Sequence, residues 1–325
     1  MIQDQLFMPR AGGPLLALQS LQDIGLPMTP LLPVTIGETR CWVKAESLQP
    51  VGAFKIRGAW WRLVNLTEEE AQEGVVAVSS GNHAQGVAWA AKRLGIPATI
   101  VMPRDAPKVK LAATKALGAN IVLYERPGED RDEVAARYLE EHGGTLVHAF
   151  GDPWVIEGQG SAGHEVNAQL GDGRSPSRFI VCCGGGGLAA GLSLACPDAE
   201  IVPVEPEGWD MVGQALARGE IVRIGDPRPG TICDALQPDA TKQINLDVLQ
   251  GRSEPGVTVT DEEVRTAQRF AFSQLNLVAE PGGAAALAAA LAGKVRLDEN
   301  TVIMLTGGNV DPDAFARTIS TGTDL

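Results

Sequence analysis

Four consecutive glycines, Gly184, Gly185, Gly186 and Gly187, follow the apolar run Phe179-Ile180-Val181-Cys182-Cys183 and precede Leu188-Ala189-Ala190-Gly191-Leu192. A buried strand that ends in a turn without side chains lets several backbone N–H groups converge on an anion at the start of the next helix. The chemistry this spacing suits is the grip of a phosphate. Two further turns are small and polar, Ser79-Ser80-Gly81-Asn82 and Thr306-Gly307-Gly308-Asn309. The first can offer N–H groups and hydroxyls to a carboxylate, and the second can set a hydroxyl against a ring nitrogen. Lys55, in Gly52-Ala53-Phe54-Lys55-Ile56-Arg57-Gly58-Ala59, stands just before a helix, beside an aromatic ring and among small residues. An amine so placed can form a Schiff base with an aldehyde, although most lysines are solvated surface groups.

Turns this far apart in sequence meet at the carboxyl ends of parallel strands, where helix N-termini point the same way. From about residue 74 the chain has the β/α alternation that builds such a sheet. Strands are expected over 75–79, 97–102, 121–124 and 145–149. Helices are expected over 82–94, 107–117 (opened by Pro107) and 129–141, stopped by Gly95, Gly118 and Gly143-Gly144. The same grammar resumes with a helix over 153–170, a polar loop over 171–177, the strand ending at Cys183, a helix after the glycines and a strand over 200–205. A looser stretch rich in Gly, Pro and Asp runs over about 219–255. Thr260 and Glu263 then have capping-box spacing, and an Ala-rich helix over 282–291 leads to a last strand over 301–305. The expected fold class is α/β, with two doubly wound, mostly parallel open sheets. The sequence runs about 15 residues past its final glycine turn, and no appended regulatory domain is expected.

Composition narrows the partners. With 325 residues, 44% of them hydrophobic, and no apolar stretch long enough to span a bilayer, the chain has bulk for two lobes of a globular protein. The segment Met1-Ile2-Gln3-Asp4-Gln5 has no basic region followed by an apolar one, so no signal peptide is expected. Lys and Arg number 27 against 40 Asp and Glu, a formal charge of −13 that repels nucleic acid and anionic membranes. Cys41, Cys182, Cys183, Cys196 and Cys233 are odd in number and show no CxxC spacing. They read as small buried hydrophobes of a reducing, cytoplasmic compartment.

The chain resembles the fold-type II pyridoxal-phosphate enzymes, and within them the serine/threonine dehydratase and serine racemase group. The resemblance rests on Glu46-Ser47-Leu48-Gln49-Pro50-Val51-Gly52-Ala53-Phe54-Lys55-Ile56-Arg57-Gly58-Ala59 and on Ser79-Ser80-Gly81-Asn82-His83-Ala84-Gln85-Gly86. It continues through Gly158-Gln159-Gly160, the four glycines, Glu280-Pro281-Gly282-Gly283-Ala284 and Thr306-Gly307-Gly308-Asn309-Val310. It implies a tryptophan synthase β-like fold with the cofactor between the lobes. Residues 1–72 with 150–325 would then form the large cofactor-binding domain, and 73–149 a small mobile one. It also implies a homodimer. By the same resemblance Lys55 forms the Schiff base and, once displaced by substrate, removes the α-proton. Phe54 packs beside the pyridine ring, and Asn82 bonds the cofactor's 3-hydroxyl. Gly184, Gly185, Gly186, Gly187 and Leu188 donate N–H groups to its phosphate. Thr306 faces the pyridine nitrogen, where the family commonly has serine. Ser79, Ser80, Gly81 and His83 surround the substrate carboxylate, and Ser80 also matches the acid/base of racemases on the far face.

A neutral hydroxyl at the ring nitrogen does not hold it protonated, so a carbanion at Cα is less stabilised than beside a carboxylate. Expulsion of a β-leaving group is then favoured over transamination. A β-hydroxyl leaves poorly and must be protonated, a task the cofactor phosphate can perform. The expected reaction is dehydration of L-threonine or L-serine to a 2-oxo acid and ammonia, with a serine or aspartate racemase or a hydroxyaspartate dehydratase as the alternatives.

The chain departs from the family pattern in two places. Ala53 stands where members often have serine before Phe-Lys. Racemase-like members hold a divalent cation such as Mg2+ through a glutamate after the next strand and an acidic residue six positions later. Here Glu205 fits the first position, Met211 occupies the second, and Asp210 is its neighbour. Arg131 could reach a second substrate carboxylate but is more simply a solvated helix residue. Glu280 is expected to cap or orient the helix it precedes rather than touch substrate. His142 should cap carbonyls at a helix end, His148 and His164 are isolated, and Trp60, Trp61 and Trp89 belong to the core or a subunit contact.

Two other function classes compete. Gly184, Gly186 and Ala189 satisfy G-x-G-x-x-A, with Glu205 some 20 residues on, a weak dinucleotide fingerprint that leaves Lys55 and the other two turns without a task. A catalytically silent amino-acid sensor or partner subunit is the non-enzymatic reading, and the intact surroundings of Lys55 argue against it.

Overall fold

The computed structural model describes residues 7–320 apart from Pro107, Pro127 and Asp226. The N-terminal segment read for a leader, and the proline expected to open a helix, lie outside the described residues. Ten strands are described: β1 Leu31–Ile36, β2 Thr39–Ala45, β3 Val75–Val78, β4 Ala98–Pro103, β5 Asn120–Tyr124, β6 Thr145–Leu146, β7 Arg178–Cys182, β8 Glu200–Pro206, β9 Val257–Val259 and β10 Thr301–Leu305. They form a six-stranded sheet of order β1-β2-β10-β7-β8-β9 and a four-stranded sheet of order β5-β4-β3-β6. Every pairing is parallel except β1 with β2, whose register joins Ile36 to Thr39 across Gly37 and Glu38. Gly37 supplies the positive φ, +60°, that so tight a hairpin requires.

Helices cover both faces of the sheets, so central strands read as unbroken apolar runs rather than alternations. Phe179, Ile180, Val181, Val302, Ile303, Met304 and Leu305 are all fully buried. Each such side chain contributes about 1.5–3 kcal/mol through removal from water. The Ala-rich helix Pro281–Leu291 is buried almost all round, its small side chains letting it lie close on the larger sheet.

The glycines of two motifs are packing devices. A Cβ at Gly158 would meet Arg57 O and Gly58 Cα at 2.6 Å, and one at Gly58 would meet Val155 O at 2.8 Å. Gly160 and Gly191 face one another in the same way. The helices Ile56–Val64, Pro153–Leu170 and Gly187–Ala195 are thereby pressed backbone to backbone, which couples the Lys55 turn to the glycine cradle.

Besides elements the sequence reading did not name, such as the hairpin β1–β2 and the helix Gly13–Asp23, the structure differs from it in three respects. The strand expected over 145–149 ends at Leu146, because the carbonyls beyond it are taken by side chains: Val147 O pairs with His83 Nε2 and Ala149 O with Lys55 Nζ. The stretch read as loose contains the helix Gln243–Leu249, a seven-residue element too short for its periodicity to stand out. The helix Met211–Arg218 after β8 is an addition to the sequence reading, although Gly219 closes it in the left-handed conformation, φ +73°.

Candidate active site

Two of the turns singled out by sequence, those after β3 and β10, meet the Lys55 turn at the carboxyl ends of the strands. Ala53 bridges Gly307, and Phe54 N donates to Thr306 O at 3.1 Å, so the Lys55 turn is stitched to the turn after β10. Asn309 Nδ2 donates to Val51 O and to Asn82 Oδ1, both at 2.7 Å, which ties in the turn after β3. Gly52, φ +70°, must lack a side chain because a Cβ there would press on Asn309.

Lys55 sits at the N-terminus of the helix Ile56–Val64, with Nζ 5.1 Å from the centre of the Phe54 ring. Nζ donates to Ala149 O at 2.8 Å. No carboxylate pairs with it in these contacts, and burial lowers its pKa to about 8, so roughly a tenth is the neutral amine at pH 7, far more than for a solvated lysine.

A closed ionic cluster fixes this turn from below. Arg57 Nε and Nη2 donate to Glu46 at 2.7 and 2.8 Å, and Nη1 and Nη2 donate to Glu165, both at 2.8 Å. Lys44 Nζ donates to Glu165 at 2.6 Å. Two cations and two carboxylates balance, with side chains at most 3% exposed. Burial opposes ionisation of Glu46, but Arg57 outweighs it and holds the pKa below the usual carboxylate range.

The glycine cradle is a built site. Gly186 adopts φ +93° as N-cap of the helix Gly187–Ala195, whose first-turn N–H groups have no partner within the helix. A Cβ on Gly185 would run into the Phe150 ring, and one on Gly187 would lie 3.0 Å from Phe150 Cα. Thr241 Oγ1 and Asn245 Nδ2 both donate to Gly185 O at 2.8 Å and hold the bend from behind. Sequence reasoning missed both residues, since they lie in the stretch read as loose. A side-chain-free bend at a helix N-terminus, with an amine and two polar turns nearby, fits a phosphorylated aldehyde such as pyridoxal phosphate.

The turn Ser79-Ser80-Gly81 opens the helix Asn82–Leu94, with Gly81 N donating to Ser79 Oγ at 3.1 Å. Ser79, Ser80, Gly81 and Asn82 are all partly exposed. The His83 ring turns away from them. Its Nε2 meets Val147 O at 2.8 Å, and burial lowers its pKa to about 3, so His83 can offer a carboxylate its backbone N–H but not a charged imidazole. His148, read as isolated, accepts from Gly151 N at 2.8 Å through Nδ1 and is held neutral by burial, with Lys242 and Lys55 adding to the effect, at a pKa of about 3.

Thr306 is 5% exposed, and its main-chain oxygen accepts from Phe54 N at 3.1 Å. All five cysteines are free and buried, as their spacing suggests. Glu280 occupies the N-cap position of the helix Pro281–Leu291 but makes no side-chain cap. Its carboxylate instead accepts from Asn82 Nδ2, which places it in the site rather than behind the helix. Arg131 is 48% exposed and 3.9 Å from Asp132, and its charge acts on the buried His148. His142 caps Tyr138 O at 3.1 Å, and the Trp60 and Trp61 rings are buried.

The candidate cation pair does not fit a metal. Glu205 is buried, and its two oxygens accept the N–H groups of Val212 and Gly213 at 3.0 and 2.8 Å, capping the helix Met211–Arg218. Asp210 Oδ2 accepts from Gln214 Nε2 at 3.2 Å. Both line a cavity of about 590 Å3 that also holds Lys294, a fixed cation. Among the described residues no group of three or more His, Cys, Asp or Glu could hold an ion. A glutamate used as a helix cap is equally unavailable to a dinucleotide ribose, which removes the support for that reading.

The sequence matches the family of pyridoxal-phosphate dependent enzymes over residues 23–307. It is 38% identical over 282 residues to a serine racemase of Schizosaccharomyces pombe, spanning 85% of this chain and 86% of that protein. It is 39% identical over 284 residues to an L-threo-3-hydroxyaspartate ammonia-lyase of Saccharomyces cerevisiae, spanning 86% of each. Among solved structures, maize serine racemase superposes with a TM-score of 0.88 at 32% identity, covering 97% of this chain and 98% of that one. The threonine deaminase of T.th. superposes with a TM-score of 0.85 at 38% identity, covering 93% of this chain and 99% of that one. The match runs from before Lys55 past Thr306 and takes in both sheets, and the chain belongs to the fold-type II pyridoxal-phosphate enzymes, in the serine racemase and threonine dehydratase family.

Proposed function

We propose that the protein removes water from a small β-hydroxy amino acid, L-threonine or L-serine, and releases a 2-oxo acid and ammonia. The observation that carries this reading is the convergence of Lys55, the Asn82 turn and the Thr306 turn beside a glycine bend that can hold a phosphate. When bound, pyridoxal phosphate supplies an aldehyde for the substrate amine and a conjugated ring that accepts the electron pair of the broken Cα–H bond. Lys55 Nζ, with its pKa near 8, is matched to take and return that proton. The N–H groups and hydroxyls of the Ser79-Ser80-Gly81-Asn82 turn bind the substrate carboxylate at a helix N-terminus, where the backbone dipole favours an anion. Thr306 offers the ring nitrogen a neutral hydroxyl, which disfavours a long-lived carbanion and so favours loss of the β-substituent. Closure of the four-stranded lobe over this space would exclude water from the reacting atoms.

Arg131 is half exposed beside Asp132, and its charge still reaches the buried His148 near the Lys55 turn, so threo-3-hydroxyaspartate belongs among the substrates tested. The test is a panel of L-threonine, L-serine, threo-3-hydroxyaspartate and D-serine, assayed for 2-oxo acid and for inversion at Cα, with Lys55→Ala alongside. The expected result is 2-oxo acid release from L-threonine or L-serine that Lys55→Ala abolishes. Inversion of serine faster than its deamination, with Ser80 as the second acid/base, would establish the racemase reading instead.

A further inference from the structure

A carboxyl group with no cation against it closes one side of the site. Glu280 is 4% exposed, and its hydrogen-bond partner is Asn82 Nδ2. It lies over Gly307, where even a methyl group would collide with the carboxylate and come within 3.1 Å of Asn82 Nδ2. Two further charges act on it at longer range, Asp234 and Lys110, and these are paired with each other at 2.8 Å.

The orientation of the Asn82 amide follows from its neighbours by elimination. Val51 O can only accept, so the Asn309 group 2.7 Å from it must be the NH2. The same NH2 lies 2.7 Å from Asn82, which must therefore present its oxygen there. Asn82 Nδ2 then faces Glu280 and spends one hydrogen on it. A single amide hydrogen remains for anything bound in the site.

We propose that Glu280 is a positioning residue that, by holding one Asn82 amide hydrogen, presents the other as a donor to the oxygen substituent of the cofactor ring. The proposal rests on the functional reading above and on the family resemblance, which sets Asn82 against that oxygen. A fixed donor stabilises the ionised ring oxygen, and without Glu280 the amide could tilt or release that contact. Burial first, then Asp234, raises the Glu280 pKa to about 7 against the opposing effect of Asn82, so its charge changes within the working range of pH.

The test uses the purified holoenzyme and two readouts besides turnover: cofactor affinity by titration of the apoprotein, and the ratio of visible to near-ultraviolet cofactor bands as a function of pH. Glu280→Ala is expected to weaken cofactor binding about tenfold and to shift the band ratio, a tenfold loss being about 1.4 kcal/mol. Glu280→Gln, which keeps an acceptor for Asn82, should hold affinity within about twofold while losing the titration step near pH 7. In an Asn82→Ala background Glu280→Ala should add nothing, since the two residues act as a unit. Additive effects in that cycle, or a Glu280→Gln band profile that still titrates as the parent does, would overturn the proposal. The Glu280→Gln profile decides the matter alone if the alanine variant does not fold. A parent protein that fails to take up pyridoxal phosphate would instead overturn the functional reading, and this inference with it.

Discussion

Lys55 and Ala149 are joined by a 2.8 Å hydrogen bond from Nζ to the main-chain oxygen, at the point where the chain returns from the four-stranded sheet to the six-stranded one. The bond holds the chain just beyond β6 and gives the amine an uncharged partner. Without a counterion nothing offsets the cost of burying the ammonium form, and burial lowers its pKa to about 8.

The uptake of cofactor by apoprotein should report this directly. Only the neutral amine attacks an aldehyde, so the rate at saturating pyridoxal phosphate should rise with pH through a midpoint near 8 and then level off. An ordinary lysine would keep the rate climbing toward about 10.4. Stopped-flow absorbance of the forming chromophore measures the midpoint, and a rise with no plateau below about pH 9.5 would contradict the assignment. The folded protein binds fewer protons at Lys55 than the unfolded chain between these two pKa values, so this group adds stability as pH rises from 8 toward 10.5.

Arg57 should be intolerant of truncation even though it reaches no ligand. It holds Glu46 and Glu165 together beneath the Lys55 turn, and both carboxylates are buried. Arg57→Ala strands one negative charge in the interior, a change that costs about 3–5 kcal/mol in comparable pairs. Equilibrium unfolding in urea should show this as a lower midpoint with the slope unchanged. Lysine at this position cannot span both carboxylates, so Arg57→Lys should recover only part of the loss. A variant as stable as the parent would mean that the cluster is not what fixes the turn.

The parts of this architecture that are legible in sequence are those whose signal is local. The 13-residue helix Asn82–Leu94, the capping box at Thr260 and Glu263, and the glycine bend each announce themselves within a few residues. Asn82 and Thr306 can be brought together from sequence because their turns share one character at strand ends, whereas Lys55 joins them only through the family resemblance of its flanking residues. Glu280 misleads because a glutamate before Pro-Gly-Gly has the local look of a cap, while its true partner is 198 positions away. Thr241 and Asn245 are invisible for a like reason: their task is a single main-chain oxygen at Gly185, and nothing beside them in sequence points to it. The hairpin β1–β2 escapes notice because its strands precede the alternation that organises the rest.

Glu205 separates a helix cap from a metal ligand by experiment. Its carboxylate is engaged by two main-chain N–H groups, yet burial exceeds their effect and raises the pKa to about 8. Turnover should therefore be unchanged by chelator, and added Mg2+ should leave the melting temperature where it was. A chelator-sensitive activity restored by Mg2+ would show that the cap opens to admit an ion. The sign of the pH effect supplies an independent check. The folded state keeps a proton on Glu205 that the unfolded chain releases from about pH 4.5 upward, so its contribution is fully present below that point and is lost as pH rises toward 8. Glu205→Gln cannot release that proton. The fall in stability between pH 5 and 8 should be shallower in the variant by on the order of a few kcal/mol, since one retained proton is worth about 1.4 kcal/mol for every pH step of one. Urea unfolding at the two pH values measures the difference, and parallel pH profiles for parent and variant would mean that Glu205 remains ionised throughout.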